Sequence, residues 1–199
     1  MNYKVKDTYF KQAKKDNFVA RSVYKLQEID EKYDLIKKGT VVLDLGYYPG
    51  SWAQYASRKV GSLGHVYGVD IQGVNEKIRC ENLTLFEGSV FELDSIMELR
   101  NIAFDLVISD MAPKTTGIKH VDQDRSYGLT ESAIYIAIER LKENGNFCAK
   151  VFESAEVQEL VKKLRENFNK ASLIRPKGTR KGSKEIFLVG IGLRIKIKN

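Results

Sequence analysis

Cysteine, histidine and proline are scarce in this 199-residue chain, with two, two and three copies. Cys80 and Cys148 lie far apart, and neither sits in a C-x-x-C motif or a Cys/His cluster, so the sequence predicts reduced thiols in a cytoplasmic protein and no zinc site. His65 and His120 form no H-x-x-x-H pair, which leaves a histidine-rich metal centre without its ligands. No apolar run approaches the roughly 20 residues that span a bilayer. The start, M-N-Y-K-V-K-D-T-Y-F, has no apolar stretch behind its basic residues, so no secretory signal is expected. Few prolines and 15 glycines also exclude a low-complexity or collagenous chain.

What the chain does have is 43% hydrophobic and 30% charged residues, in a length that suits one domain over 1–199. Its net charge of +7 is unevenly spread. Residues 1–40 carry ten Lys/Arg against six Asp/Glu, 41–159 carry 11 against 18, and 160–199 carry 12 against two. Two basic ends therefore flank an acidic middle. A lysine-rich surface is common on proteins that bind no nucleic acid, but such a distribution also suits a footprint for phosphates.

Between 41 and 191, short β-rich apolar runs alternate with segments of helical period. Strands are expected at 41–45, 65–69, 83–86, 104–109, 146–152 and 185–191, and helices at 51–59, 129–142 and 154–167. In the second of these helices Ala133, Ile136, Ala137, Arg140 and Leu141 share a face, with Gly145 as the stop signal. The stretch 111–126 reads as a long loop. Residues 1–40 form a basic helical extension before a core over 41–199, with helices at 9–15 and 19–33 and an apolar stripe of Val23, Leu26, Ile29 and Tyr33. Alternating β and α predicts an α/β fold with a mainly parallel sheet covered on both faces, whose chemistry lies beyond the carboxyl ends of the strands.

Those ends carry the informative residues. The first strand runs into D-L-G-Y-Y-P-G-S-W (44–52), where Gly46 and Gly50 let the backbone turn close to a ligand and Pro49 stiffens the loop. This is not the G-x-G-x-x-G dinucleotide fingerprint. Asp70 ends the second strand, 26 residues after Asp44, where an acid can accept hydrogen bonds from both hydroxyls of a ribose. The pairing suits an adenosine cofactor without a pyrophosphate, so S-adenosylmethionine fits better than NAD. Asp110 ends another strand in S-D-M-A-P, Glu185 opens the last in S-K-E-I-F-L, and Lys150 lies inside C-A-K-V-F. A lysine in a central strand needs a carboxylate, because a buried ammonium is costly. It is either half of a structural salt bridge with Asp110 or a lysine tuned for catalysis.

These pieces, in order from D-T-Y-F-K-Q-A-K through R-S-V-Y-K-L, D-L-G-Y-Y-P-G-S-W-A-Q, V-D-I, S-D-M-A-P, A-K-V-F and S-K-E-I-F-L-V, resemble the FtsJ-type ribose 2′-O-methyltransferases, most closely the bacterial large-subunit ribosomal RNA members. The resemblance implies a Rossmann-like S-adenosylmethionine-dependent fold with seven strands, and a Lys-Asp-Lys-Glu tetrad falling on Lys25, Asp110, Lys150 and Glu185. It also implies cofactor contacts from Asp44, Gly46, Tyr48, Pro49, Gly50, Ser51, Trp52, Asp70, Ile71, Ser89, Val90 and Asp110. The implied reaction is methylation of a ribose, most closely a uridine of large-subunit ribosomal RNA, with transfer RNA as the alternative target and a monomer as the working unit.

In that scheme Lys150 is the base that takes the 2′-hydroxyl proton, Asp110 orients it, Lys25 tunes it and holds the ribose, and Glu185 positions Lys25 or the hydroxyl. RNA is expected on Lys4, Lys6, Lys11, Lys14, Lys15 and Arg21 and on Arg175, Lys177, Arg180, Lys181 and Lys184, with Tyr9, Phe10 and Tyr24 available for stacking. The chain departs from the family pattern at Tyr47 and Tyr48, where small residues are usual, and at Ser51, Ser89, Phe187 and Val19-Ala20. A base N-methyltransferase would carry an aromatic clamp where this chain has D-M-A-P. A non-catalytic ribosome-assembly factor would have no use for the tetrad.

Overall fold

The structure is a computed structural model and describes residues 8–73, 75, 78–179 and 182–194. Seven strands make one sheet in the order β3-β2-β1-β4-β5-β7-β6. Strands β1 (Val41–Leu45), β2 (His65–Asp70), β3 (Leu83–Glu87), β4 (Phe104–Ser109) and β5 (Leu141–Phe152) run parallel. Strand β7 (Glu185–Leu193) is antiparallel to both β5 and the edge strand β6 (Phe168–Ile174). Successive side chains on a strand point to opposite faces, and here both faces are apolar and covered. Val42, Leu106, Ile108, Cys148, Phe187 and Val189 pack under α2 (Val23–Tyr33) and α3 (Ser51–Val60). Leu43, Leu45, Val107, Phe147, Ala149, Val151 and Leu188 pack under α4 (Lys119–Arg140) and α5 (Val157–Asn167). That is the mainly parallel, doubly covered α/β sheet expected from the alternation of runs. Among the described residues no helix is long and apolar enough to cross a membrane.

Three elements differ from the sequence reading. Strand β6 follows α5 without a connecting loop and reads F-N-K-A-S-L-I, an edge strand with little β-branched character and no alternation to mark it. Helix α4 begins at Lys119, so the loop after β4 ends eight residues earlier than expected. The Asp122 carboxylate closes that loop by accepting from the Thr116 backbone N–H (2.7 Å) and hydroxyl (2.9 Å) and from the Gly117 N–H (3.2 Å). The buried face of α4 is accordingly Asp122, Ser126, Thr130, Ala133, Ile134 and Ala137, and the polar half of that stripe hid the helix from a hydrophobic-period reading. Gly145 is not the helix stop, because Leu141 is already extended and opens β5.

The N-terminal helix α1 (Thr8–Lys15) turns into α2 at a corner held by Arg58, which donates to the Asp16 and Asn17 carbonyls and lies 4.2 Å from the Phe18 ring. The far end of α2 is anchored by Asp30, which is 3% exposed. Its carboxylate accepts from the Ile36 N–H (2.8 Å) and the Tyr55 hydroxyl (2.9 Å), so one side chain ties α2 both to the segment entering β1 and to α3. Removing it leaves two buried donors unpaired. Asp30→Ala is expected to destabilise the chain by about 2–4 kcal/mol, read as a lower urea midpoint at unchanged slope. A loss no larger than that of a surface substitution would contradict this anchoring role.

Candidate active site

Parallel strands deliver their carboxyl ends to one edge, and the antiparallel return of β7 starts at that same edge. Asp110 follows the last residue of β4 directly. Lys150 in β5 pairs with Phe187, and Phe152 pairs with Glu185. With a period of two, Lys150, Phe152, Glu185 and Phe187 all face α2, which supplies Lys25 from its first turn. The four expected tetrad residues are therefore together, drawn from four elements.

They form an alternating chain of charge. Lys150 Nζ lies 2.9 Å from Asp110 Oδ1 and donates to the Asp110 carbonyl at 2.7 Å. Its distance to Glu185 Oε1 is 3.8 Å, and the other oxygen of Glu185 accepts from Lys25 Nζ at 2.7 Å. Lys25 is 7% exposed and Lys150 6%. Burial pushes the Glu185 carboxyl up, but the hydrogen bond and charge of Lys25, the charge of Lys150 and the Ser183 hydroxyl (3.0 Å) outweigh it and hold the group below the usual carboxylate range. Below the cluster, Lys25 Nζ sits 5.8 Å from the centroid of the Phe187 ring, whose other neighbour is Trp52. Phe187 thus supports Lys25 through its ring. The salt-bridge reading of Lys150 and Asp110 and the tetrad reading describe one arrangement, since the pair is real and Glu185 joins it to a second lysine.

Two cavities open on either side of the chain. One of about 290 Å³ is lined by Gly46, Tyr48, Asp70, Ile71, Ser89, Val90 and Asp110 of the expected cofactor residues, with Gln72, Phe91 and Met111 in addition. Asp70 accepts from the Tyr48 N–H (3.0 Å) and the Gln72 N–H (2.7 Å), which fixes its carboxylate in that wall. Gly46 sits at φ +71°, where side chains other than glycine are strained, and a Cβ there would lie 2.2 Å from Met111 Cγ and displace that side chain. Ile71 and Phe91 are 73% and 65% exposed, so the cavity presents apolar faces.

Asp44 is fully buried behind this wall, and its carboxylate has no well-formed hydrogen bond among the described residues, only an approach by the Ala53 N–H. Pro49, Gly50, Ser51 and Trp52 do not line the cavity. They build the start of α3, where Ser51 and Ser22 share a 2.8 Å hydroxyl hydrogen bond and the Trp52 indole donates to the Ser22 carbonyl. Of the two bulky tyrosines, Tyr47 turns into the core against Gly68, where a Cβ would lie 2.9 Å from its ring, and burial with the nearby Asp70 charge pushes its hydroxyl up to about 12. Only Tyr48 faces the cavity.

The other cavity, of about 640 Å³, is bounded by Arg21, Lys25, Gly117, Lys119, Asp122, Gln123, Phe152, Ser183, Lys184 and Glu185. Arg21 and Lys184 thus come together from the two basic ends. Lys11, Lys14 and Lys15 are exposed on α1. Arg175 is committed elsewhere, donating to the Ser183 carbonyl (2.7 Å) and pairing with Glu153 (2.5 Å), which closes the base of the loop before β7. Lys177 is exposed, with its backbone N–H on Glu28. Lys4, Lys6, Arg180 and Lys181 lie outside the described residues. Tyr9 and Tyr24 pair with each other at 5.5 Å and Tyr24 donates to Asp16, while Phe10 is exposed at 61% and Tyr9 at 40%. Phe152 and Lys119 join the site without having been expected there. The strand period carries the signal for Phe152, two residues beyond Lys150, whereas Lys119 stands in a stretch that reads as loop.

Residues 18–193 match the model of the FtsJ-like methyltransferase family. The chain is 46% identical over 195 residues to the ribosomal RNA large subunit methyltransferase E of Bdellovibrio bacteriovorus, covering 96% of this chain and 98% of that one. It is 43% identical over 196 residues to the protein of the same name from Syntrophobacter fumaroxidans, covering 98% and 99%. Among solved structures it is similar to a Plasmodium falciparum chain described as a ribosomal RNA methyltransferase, with a TM-score of 0.77 and 25% identity over 88% of this chain and 98% of the other. A seven-stranded sheet of this order, a four-residue charge chain with two buried lysines at its carboxyl edge and these matches lead to one conclusion: the chain belongs to the FtsJ-like methyltransferase family and is a methyltransferase.

Proposed function

We propose that the protein transfers a methyl group from S-adenosylmethionine to a ribose 2′-hydroxyl of large-subunit ribosomal RNA, a uridine being the expected target, with the whole chain acting as one cytoplasmic, monomeric domain. The observation that carries this reading is the Asp110–Lys150–Glu185–Lys25 chain standing between two cavities. One cavity suits a cationic nucleoside. Asp70 and Asp110 put two carboxylates in its wall, with Asp44 buried behind them, where burial together with the charges of Asp110 and Asp70 raises it well above the usual range. Such a site favours a neighbouring cation. Asp70 would hold the ribose, Ile71, Val90 and Phe91 the adenine, and the acids the charged end. The bound cofactor supplies an electrophilic methyl and its own leaving group.

What the protein supplies is position and a proton acceptor. In this scheme the substrate ribose enters from the larger cavity and its hydroxyl meets Lys150, which, once it has released its own proton and stands as the neutral amine, takes the proton of the hydroxyl. Asp110 fixes the direction of Lys150 through two contacts on one side. Glu185 holds Lys25 at 2.7 Å, so Lys25 is poised to hold the ribose rather than to wander. A transfer RNA target uses the same chemistry. The named relatives, which are large-subunit ribosomal RNA enzymes over nearly their whole length, favour the ribosomal one.

Lys150→Ala should lose about 10²–10⁴-fold in methylation rate while still binding S-adenosylmethionine, and Lys150→Arg should be equally inactive because arginine keeps the charge but cannot give up its proton. An active Lys150→Arg would make the residue an electrostatic stabiliser instead of a base. Asp44 offers a second test, through stability. A carboxyl raised by folding contributes stability that is full below its ordinary value of 3.8 and lost as pH rises. Asp44→Asn should therefore match the wild-type chain in stability near that pH and exceed it by a widening margin toward neutrality, in melts without cofactor. A margin independent of pH would contradict the assignment.

A further inference from the structure

We propose that Lys119, on the first turn of α4, holds a phosphate of the RNA strand opposite the one held by Lys184, so that the ribose between them faces Lys150 and Glu185. This rests on the reading of the site as an RNA methyltransferase centre, and it adds a residue from the acidic middle of the chain to a footprint that the charge distribution assigns to the two ends. Lys119 and Lys184 are both exposed and both line the larger cavity, one from α4 and the other from the loop before β7. Among the described residues neither side chain makes an ion pair or hydrogen bond, in contrast to Lys25, Lys150 and Arg175 around them.

Helix stability does not account for Lys119 either. A cation on the first residue of a helix faces the positive end of the helix dipole, and α4 gains nothing from it. The acids of the same cavity are already engaged. Asp122 accepts three hydrogen bonds from Thr116 and Gly117, and Glu185 accepts from Lys25 and Ser183. Four cations, Lys119, Lys184, Arg21 and Lys25, face two carboxylates, Asp122 and Glu185, in this cavity, which leaves it net positive. A polyanionic strand matches such a rim, because phosphate contacts fix register without reading sequence.

Each phosphate that is no longer neutralised makes the slope of log affinity against log salt shallower by about 0.7–0.9. Binding of a fluorescein-labelled fragment of large-subunit ribosomal RNA should be followed by anisotropy across salt for wild type, Lys119→Ala, Lys119→Arg and Lys38→Ala. Lys38 lines a separate cavity with Lys37, Thr40, Asp105 and Asn144, and its removal lowers net charge equally. Lys119→Ala should bind more weakly with a shallower slope, Lys119→Arg should restore both, and Lys38→Ala should behave as wild type. An unchanged Lys119→Ala, or an equal loss in Lys38→Ala, overturns the proposal while leaving the functional reading intact. Failure of the wild-type chain to bind RNA in a salt-dependent way removes both.

Discussion

Everything at the carboxyl edge of the sheet depends on the alternation of two buried lysines with two carboxylates. Neither Lys25 nor Lys150 could be kept inside alone, since an unpaired ammonium in such a place costs several kcal/mol. Glu185 resolves this by dividing its two oxygens between them, one at 2.7 Å and one at 3.8 Å. The asymmetry has a consequence: Lys25 is fastened, whereas Lys150 is fastened mainly on its Asp110 side and meets Glu185 loosely. A lysine held from one side can present its remaining direction to an incoming hydroxyl.

The fold sets this up through strand direction. Reversal of β7 places Glu185 at the edge where β5 ends, so residues that are distant in sequence become register neighbours. The second element of the design is separation. Asp70 and Asp110 line the smaller cavity with Asp44 buried behind them, while Lys119 and Lys184 stand at the rim of the larger one. In the proposed reaction this division would draw a cationic donor and an anionic acceptor strand to opposite sides of the same four residues. The net charge of +7 conceals that division, which only the arrangement in space makes visible.

Much of this was legible in the chain. The glycine turn after β1, the acid ending β2 and the lysine within β5 each broke a local pattern, and all three border the site. The burial stripe of α2 was equally plain from Val23, Leu26 and Ile29. What the sequence concealed had physical reasons. The first three turns of α4 are polar on their buried face because Asp122, Ser126 and Thr130 bond to loop and strand backbone, to Thr116 and Gly117, Phe152 and Lys150 respectively. Strand β6 sits at an edge and pairs only with β7, so it needs little apolar alternation. Arg175 read as an RNA contact because composition reports charge, while its partners Glu153 and Ser183 are brought to it only by folding.

The proposed acceptor is a ribose hydroxyl presented to this charge chain. It is tested most directly by incubating the purified protein with S-adenosylmethionine and large-subunit ribosomal RNA from cells lacking the gene, then digesting the RNA to nucleosides for mass spectrometry. The expected product is one 2′-O-methylated nucleoside, with the added mass on the sugar fragment. A methyl group found on a base fragment, or none transferred by a chain that binds the cofactor, would contradict it.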